Sequence, residues 1–315
     1  MKYVQLGQTG LSVSQLCLGT LTLGPLQKNL PLDEAAELLA AALDLGVNFW
    51  DTAQLYDNYP ALAAGLAKRP NAEVVLVSKT FAYETETART AVEQARKSLN
   101  RDVIDVFLLH QQESAHTLRG HAPALEVLME YKAAGHIRAV GLSTHHVAGV
   151  HAAVDAGLDV VSPLINVTGM GIADGTRANM EAAVLRAHEA GLGVYAMKAL
   201  AGGHHYQKAA EALDYAMTLP GMDSVAVGVG SLAELRDNVD YFNGLGFSQR
   251  YYDNLRSQRR KIFIDPGCDN CGQCAQHCRL KALSSNGVNM TCDHERCTLC
   301  AYCAAYCEKF FIKIL

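Results

Sequence analysis

Two runs of cysteine near the C-terminus carry the plainest chemistry in this sequence. Cys268, Cys271, Cys274 and Cys278 have the spacing C-x2-C-x2-C-x3-C, and Cys297, Cys300, Cys303 and Cys307 repeat it. Thiolates so spaced ligate a pair of [4Fe–4S] cubanes, three cysteines of a run on one cluster and the fourth on the other. The expected sets are Cys268, Cys271, Cys274 and Cys307 for one cluster, and Cys297, Cys300, Cys303 and Cys278 for the other. Zinc sites use four ligands, commonly two pairs separated by a longer gap. Disulfides belong mainly to small oxidised domains, and the N-terminus has no signal-peptide character. Tandem triplets suit neither. Of the other two cysteines, Cys17 lies in an apolar run and reads as core, and Cys292 has no ligand slot.

A second constellation consists of single polar residues that end apolar runs. Asp51, Lys79 and His110 close three such runs, and Tyr56 follows just after Asp51. One of these is equally well explained as a cap. Four on three neighbouring runs make a proton donor. A phenol is too weak an acid for neutral pH unless a cation lies near it. Lys79 supplies that charge, Asp51 holds Lys79 charged, and His110 orients a carbonyl or shares the proton.

These residues need a scaffold that gathers strand ends. Residues 1–14 read as a hairpin around two Gly-containing turns. Short apolar runs then alternate with amphipathic stretches. The runs are 16–20, 47–51, 74–79, 103–110, 139–143, 160–165, 193–197 and 225–228. The helices are expected near 33–45, 59–68, 86–98, 122–134, 146–156, 176–190, 207–218 and 231–245. Strands apolar throughout indicate a parallel sheet covered on both faces, and eight βα units predict an α/β fold, a (β/α)8 TIM barrel. An open doubly wound sheet would want a better glycine-rich turn than Leu18-Gly-Thr-Leu-Thr-Leu-Gly24. Residues 1–246 form the barrel on this reading. Residues 247–266 form a partly helical connector, whose Arg259-Arg260-Lys261 reads as a solvated face. Residues 267–315 form a small α+β cluster module.

Half of the residues are hydrophobic, 19% are charged, and the formal net charge is −5. That balance argues against nucleic acid as a partner, and no apolar run is long enough to span a bilayer. A cytoplasmic location is expected.

The segments Val47-Asn-Phe-Trp-Asp-Thr-Ala-Gln-Leu-Tyr56, Ser78-Lys79 and Ile104-Asp-Val-Phe-Leu-Leu-His110 resemble three signature segments of the aldo-keto reductases. The opening Leu6-Gly-Gln-Thr-Gly-Leu-Ser-Val-Ser14 and Val140-Gly-Leu-Ser143 agree. The chain as a whole resembles the branch with a C-terminal ferredoxin-like 2[4Fe–4S] module. The resemblance implies that Asp51, Tyr56, Lys79 and His110 are a catalytic tetrad with Tyr56 as general acid. It also implies a nicotinamide site, here with departures. The family places a Ser-Asn pair after strand 5, a Gln on strand 6 and an aromatic ring on strand 7. This chain has Ser143-Thr144, Ser162 and Met197 there, with Asn166 placed to compensate. Gly19, Thr20, Lys198, Leu200, Gly228, Ser231, Glu234 and Asn238 complete the implied contacts. Segment 228–238 lacks a cation where the family meets a 2′-phosphate, Arg236 being the nearest. A carboxylate such as Glu234 suits ribose hydroxyls, so NAD(H) is expected ahead of NADP(H). The turn at Gly228 suits an anion. In the module, Arg279 and Glu308 stand where such motifs carry Pro.

The expected function is reduction of a small-molecule carbonyl, or oxidation of an alcohol, linked to one-electron transfer and thus to a ferredoxin or other redox protein. Clusters pass single electrons and nicotinamide a hydride, so a flavin at the mouth is one way to join them. A cluster-fed reductase without nicotinamide is the alternative, and a non-catalytic electron carrier is a third. The substrate loops look short and the mouth open. Trp50, Tyr83, His116, His145 and His146 are candidates to line it, with core or capping roles equally open. His204 and His205 on the loop after strand 7 are similarly placed.

Overall fold

The computed structural model of the chain describes residues 1–257 and 260–315; Arg259 of the basic triplet lies outside the described residues. Strands β1 (Tyr3–Gln5) and β2 (Ser12–Ser14) form the N-terminal hairpin. Eight parallel strands then close a barrel: β3 (Leu16–Gly19), β4 (Phe49–Asp51), β5 (Val75–Thr80), β6 (Ile104–Leu109), β7 (Ile137–Thr144), β8 (Val160–Pro163), β9 (Gly193–Ala196) and β10 (Ser224–Gly228). Between and after them run α1 (Leu32–Asp44), α2 (Tyr59–Ala67), α3 (Thr85–Ser98), α4 (Ala115–Gly120), α5 (Ala122–Ala133), α6 (Val147–Asp155), α7 (Arg177–Glu189), α8 (Ala209–Thr218), α9 (Leu232–Phe242) and α10 (Gln249–Ser257). The short α4 has no counterpart in the sequence reading. Its Ser114–Thr117 capping box supplies the local start signal.

Strand alternation divides the core in two. Cys17, Phe49, Val77, Val106, Leu108, Ala139, Val160 and Tyr195 point inward and pack together, closed at the bottom by Leu6, Leu11 and Val13 of the hairpin. Leu18, Trp50, Leu76, Phe107, Val140, Val161 and Val194 point outward and pack with apolar helix residues such as Leu39, Val92 and Val184. Side chains in a strand alternate with period two. The next inward positions toward the C-terminal ends are therefore Gly19, Asp51, Lys79, His110, Ser143, Ser162, Met197 and Gly228. The polar residues that interrupted the apolar runs form this top layer, where barrel chemistry collects.

Beyond the barrel, β11 (Ile262–Ile264) pairs antiparallel with β14 (Ile312–Ile314), and β12 (Leu283–Ser285) with β13 (Met290–Cys292); α11 (Gln273–Gln276) and α12 (Tyr302–Ala305) are single turns. β11 lies inside the segment expected to be connector, so the packed module starts earlier than composition indicates. The module is an internal repeat in its backbone. Asn270, Gly272 and Lys281 have φ of 57°, 78° and 49°, and the same left-handed positions recur at a constant offset in Leu299, Ala301 and Phe310 at 55°, 64° and 55°. Equivalent residues His277 and Tyr306 stack on each other, ring centroids 3.5 Å apart.

The module is docked on the barrel mouth. Phe310 is buried against Leu164 and Ala201, and His204 Nε2 donates to the Ile312 carbonyl at 3.0 Å. Gly202 and Gly203, with φ of 62° and 89°, let β14 lie on the loop after β9. A Cβ on Gly203 would overlap the Ile314 carbonyl oxygen. The expectation of an open mouth does not hold, because the covering segment comes from far along the chain.

Candidate active site

Asp51 ends β4 and Lys79 is the penultimate residue of β5, so their side chains meet inside the rim. Lys79 Nζ donates to Asp51 Oδ1 at 2.7 Å and to the Thr52 carbonyl at 2.8 Å. Asp51 is 7% exposed and Lys79 2%. The second carboxylate oxygen accepts from Tyr195 Oη at 2.7 Å. A buried ion pair is tolerable only when its remaining sites are hydrogen-bonded, and this one meets that condition.

Tyr56 stands above the pair, on a 3-10 turn (Gln54–Tyr56) closed by Asp57 at φ 49°. Lys79 Nζ lies 5.1 Å from its ring centroid. Burial raises the Tyr56 pKa above its ordinary value, and Lys79 only partly offsets this. The expected lowering by Lys79 is thus outweighed, and the phenol is a protonated donor. Burial also lowers the Lys79 pKa, but Asp51 and Tyr56 more than restore it, so the net shift is upward and the ammonium persists. His110 follows β6, stacks on Phe81 at 4.2 Å and meets Tyr56 edge-on at 5.9 Å. Burial, then Lys79 and Lys198, push its pKa well below the usual histidine range. A neutral imidazole whose Nδ1 has no hydrogen-bond partner among the described residues sits beside a phenol and an ammonium. The arrangement can donate a proton to an oxygen and hold the resulting negative charge.

Comparison with known proteins agrees with this geometry. Residues 15–211 match the model of the aldo/keto reductase family. The chain belongs to the aldo/keto reductase family. It is 32% identical over 183 residues to the aldo-keto reductase dtxS3 of Metarhizium robertsii, covering 45% of this chain and 48% of that one. It is 30% identical over 158 residues to a 6-dehydroglucose reductase of Novosphingobium aromaticivorans, covering 44% and 50%. The chain thus spans about half the length of the curated relatives it matches. A solved putative aldo-keto reductase of Pseudomonas aeruginosa superposes with a TM-score of 0.67 at 29% identity, covering 77% of this chain and 95% of that one.

Asp51, Tyr56 and Lys79 open into a cavity of about 270 Å³. Gly19, Ser162, Met197, Lys198, Leu200, Gly228, Glu234 and Asn238 line it, as the sequence reading expects of nucleotide contacts. Other expected contacts are spent elsewhere. Thr20 Oγ1 donates to the Asp51 carbonyl. Ser143 Oγ accepts from the Gln111 amide at 3.0 Å, and Thr144 Oγ1 accepts from the His146 amide at 2.9 Å. Asn166 is closed within its own loop, donating to the Met170 carbonyl and accepting from the amides of Thr168 and Met170. Ser231 Oγ caps α9 through the Glu234 amide. Glu234 is partly engaged too, accepting from the Gly230 amide at 2.7 Å.

Several wall residues carried no signal in the linear sequence. Lys28 reaches Glu234 at 3.6 Å, so a cation does stand at the β10–α9 turn, contributed by another loop. One of the two grounds for expecting NAD(H) ahead of NADP(H), the missing cation, is thereby removed, and the carboxylate of Glu234 remains. Arg260, read as part of a solvated face, lines the cavity with its guanidinium 4.8 Å from the Tyr206 ring centroid. Lys313, Ile314 and Leu315 also line the cavity. Among the aromatic and histidine candidates, Trp50 is fully buried outside the barrel with Nε1 donating to the Val47 carbonyl. Tyr83 is 58% exposed and His116 is exposed on α4. His146 occupies the N-cap of α6, but its side chain does not cap; Asp174 does, accepting from the amides of Val147 and Ala148. His205 Nε2 bonds Thr168 Oγ1 at 2.9 Å, and His145 bonds Lys198.

The cysteines gather in two groups. The pKa of Cys274 is pushed up to about 11 by burial and by Cys307, Cys268 and Cys271 nearby. That of Cys303 is pushed up to about 12 by burial and by Cys274, Cys297, Cys300 and Cys278 nearby. The neighbours of Cys303 thus come from both of the expected sets. A cavity of about 210 Å³ has Cys278, Cys297, Cys300 and Cys303 in its wall. Cys278 Sγ accepts from the Ala282 amide at 3.3 Å, and Cys307 Sγ from the Phe311 amide at 3.2 Å. Cys292 adjoins Cys297 and lies near Cys303 and Cys278. Among the described residues, no three His, Cys, Asp or Glu side chains converge on a single metal ion. No helix among them is long and apolar enough to cross a membrane.

Proposed function

We propose that the chain is an oxidoreductase that reduces a carbonyl, or oxidises the matching alcohol, with Tyr56 as general acid or base, linked to one-electron transfer through two [4Fe–4S] clusters. The observation that carries the first half is Asp51, Tyr56 and Lys79 in the wall of one cavity, with Lys79 held by Asp51 below Tyr56 and His110 edge-on to the Tyr56 ring. The second half is supported by four thiols around one cavity and by amides directed at Cys278 and Cys307 sulfur. Hydrogen bonds to ligating sulfur are a lever by which proteins tune such clusters. Cys268, Cys271, Cys274 and Cys307 would hold one cubane, and Cys297, Cys300, Cys303 and Cys278 the other.

A bound nicotinamide supplies a hydride, whereas bound clusters exchange electrons singly with a ferredoxin or similar redox protein. The remaining work falls to the chain. Neutral His110 donates a hydrogen bond to the carbonyl oxygen and polarises it. Tyr56 Oη gives that oxygen its proton, and Lys79 stabilises the phenolate left behind. Asp51 keeps Lys79 protonated and in place, and the apolar wall around Met197 excludes water. In the oxidative direction the same proton returns to Tyr56.

A reading without nicotinamide is favoured by one specific observation. Asn166 is turned inward, Met197 replaces the aromatic ring, and the module's last strand lines the tetrad's own cavity. Calorimetry with NADH and NADPH on anaerobically prepared protein separates the two, since tight binding of either excludes the second reading. The test of the main reading is Tyr56→Phe. It should lower carbonyl reduction by about a hundredfold or more, the usual worth of a positioned proton donor, with iron and sulfide content unchanged. Full activity in that variant removes Tyr56 as the acid.

A further inference from the structure

The cavity contains two lysines that the tetrad does not use. Lys198 comes from the loop after β9 and Lys313 from β14 of the module, and both line the cavity. Their ammonium groups lie 5.0 Å and 4.2 Å from the centroid of one ring, Phe310. Lys198 Nζ donates to His145 Nε2 at 2.8 Å, and the imidazole brings no negative charge. Lys313 is only 9% exposed. Neither lysine has a carboxylate within ion-pair distance among the described residues, although the chain pairs other partly buried cations, such as Lys132 with Asp159. Asp265 is the acidic residue felt by both, from beyond contact, and Lys313 also feels Cys307. Buried ammonium groups are costly unless an anion meets them, and each is pushed toward neutrality here for that reason.

The position of the pair narrows what the anion is. Lys198 directly follows Met197, an inward position of the top layer, and both lysines line the cavity that Asp51, Tyr56 and Lys79 also line. An anion held by Lys198 and Lys313 therefore shares one chamber with the carbonyl that Tyr56 protonates, and one small molecule can carry both groups.

We propose that Lys198 and Lys313 form a binding site for a carboxylate on the substrate, which makes the substrate an oxo acid and makes docking of the module part of substrate recognition. This rests on the reading of Tyr56 as proton donor to a carbonyl, and it is tested apart from turnover. In a cavity shielded from water, a charge-assisted contact to each ammonium is strong.

The experiment is calorimetry on the full chain with oxalate as an unreactive dicarboxylate and inorganic pyrophosphate as a phosphate probe. Lys198→Met and Lys313→Met keep the aliphatic stem on Phe310 and remove an uncompensated charge, so their melting temperatures should equal or exceed the parent's. Each should weaken oxalate by about tenfold or more, the loss of one charge-assisted contact. Lys208→Met, on an exposed lysine beside Glu211, should leave oxalate unchanged. Oxalate weakened by both cavity substitutions supports the site even if Tyr56→Phe later proves active. Loss confined to pyrophosphate assigns the lysines to a cofactor and overturns the proposal, as does indifference to both anions in folded variants.

Discussion

Tyr195 illustrates what a single side chain contributes beneath an active site. Its hydroxyl occupies the oxygen of Asp51 that Lys79 leaves free. Burial and the adjoining carboxylate push its pKa well above the usual phenol range, so it is a permanent donor. Tyr195→Phe keeps the ring against Phe49 and orphans one carboxylate oxygen. It should cost about 1–3 kcal/mol in stability, read from urea midpoints, and should also move the pH profile of carbonyl reduction. A change in stability with an unmoved profile reduces Tyr195 to a packing role. The histidines give a second prediction. His110 and His145 are held well below the ordinary histidine pKa, mainly by burial. The unfolded chain takes up these protons below about pH 6.5 and the native chain does not. Stability is therefore complete above that pH and falls below it, by about 1.4 kcal/mol per pH unit for each histidine. A urea midpoint flat between about pH 7.5 and about pH 5.5 would contradict neutral burial of the pair. Asp51, Lys79 and His110 stood out in sequence because each closes an apolar run, and Tyr56 because it follows Asp51 closely. Tyr195 was not, because a tyrosine within an apolar strand reads as core, and only closure of the barrel brings it to Asp51.

At the scale of elements, the strands that build the mouth were legible for a plain reason. Both faces of each are buried, so β5 and β6 read as continuous apolar runs. Segments that depend on distant partners were not. β11 is three residues whose only sheet partner among the described residues is β14, and nothing local separates it from the polar connector. The loop after β9 was equally mute, although its glycines decide the docking. Gly203→Ala would place a Cβ on the Ile314 carbonyl at φ 89°, and strain of this kind costs about 1–3 kcal/mol. It should lift β14 from the loop, exposing the 261–315 segment to limited proteolysis while the barrel's helical circular dichroism persists. Phe310→Ala should act in the same direction, by about 3–5 kcal/mol, through loss of a buried ring. If both variants resist protease as the parent does, the docking is held elsewhere.

For the molecule as a whole, the repeat in the module and the eightfold barrel are separate folding problems joined at one seam. Anaerobically prepared protein should carry about eight iron atoms and about eight sulfides per chain. Cys271→Ala should lower that content and unfold the module before the barrel, giving two melting transitions where the parent gives one. Stoichiometric zinc in place of iron would remove the electron-transfer half of the reading. The proposed cysteine sets rest on ligand spacing, which is local within each run. The crossing of Cys278 and Cys307 between sets follows from the repeat. The seam has a consequence for how the two halves communicate. The amide of Phe311 is fastened to Cys307 sulfur, and the same short segment goes on to place Lys313 in the wall shared with Tyr56. A disturbance at that thiolate travels along a handful of residues to reshape the chamber, so loss of the inorganic core and loss of the reductase pocket should arrive as one event.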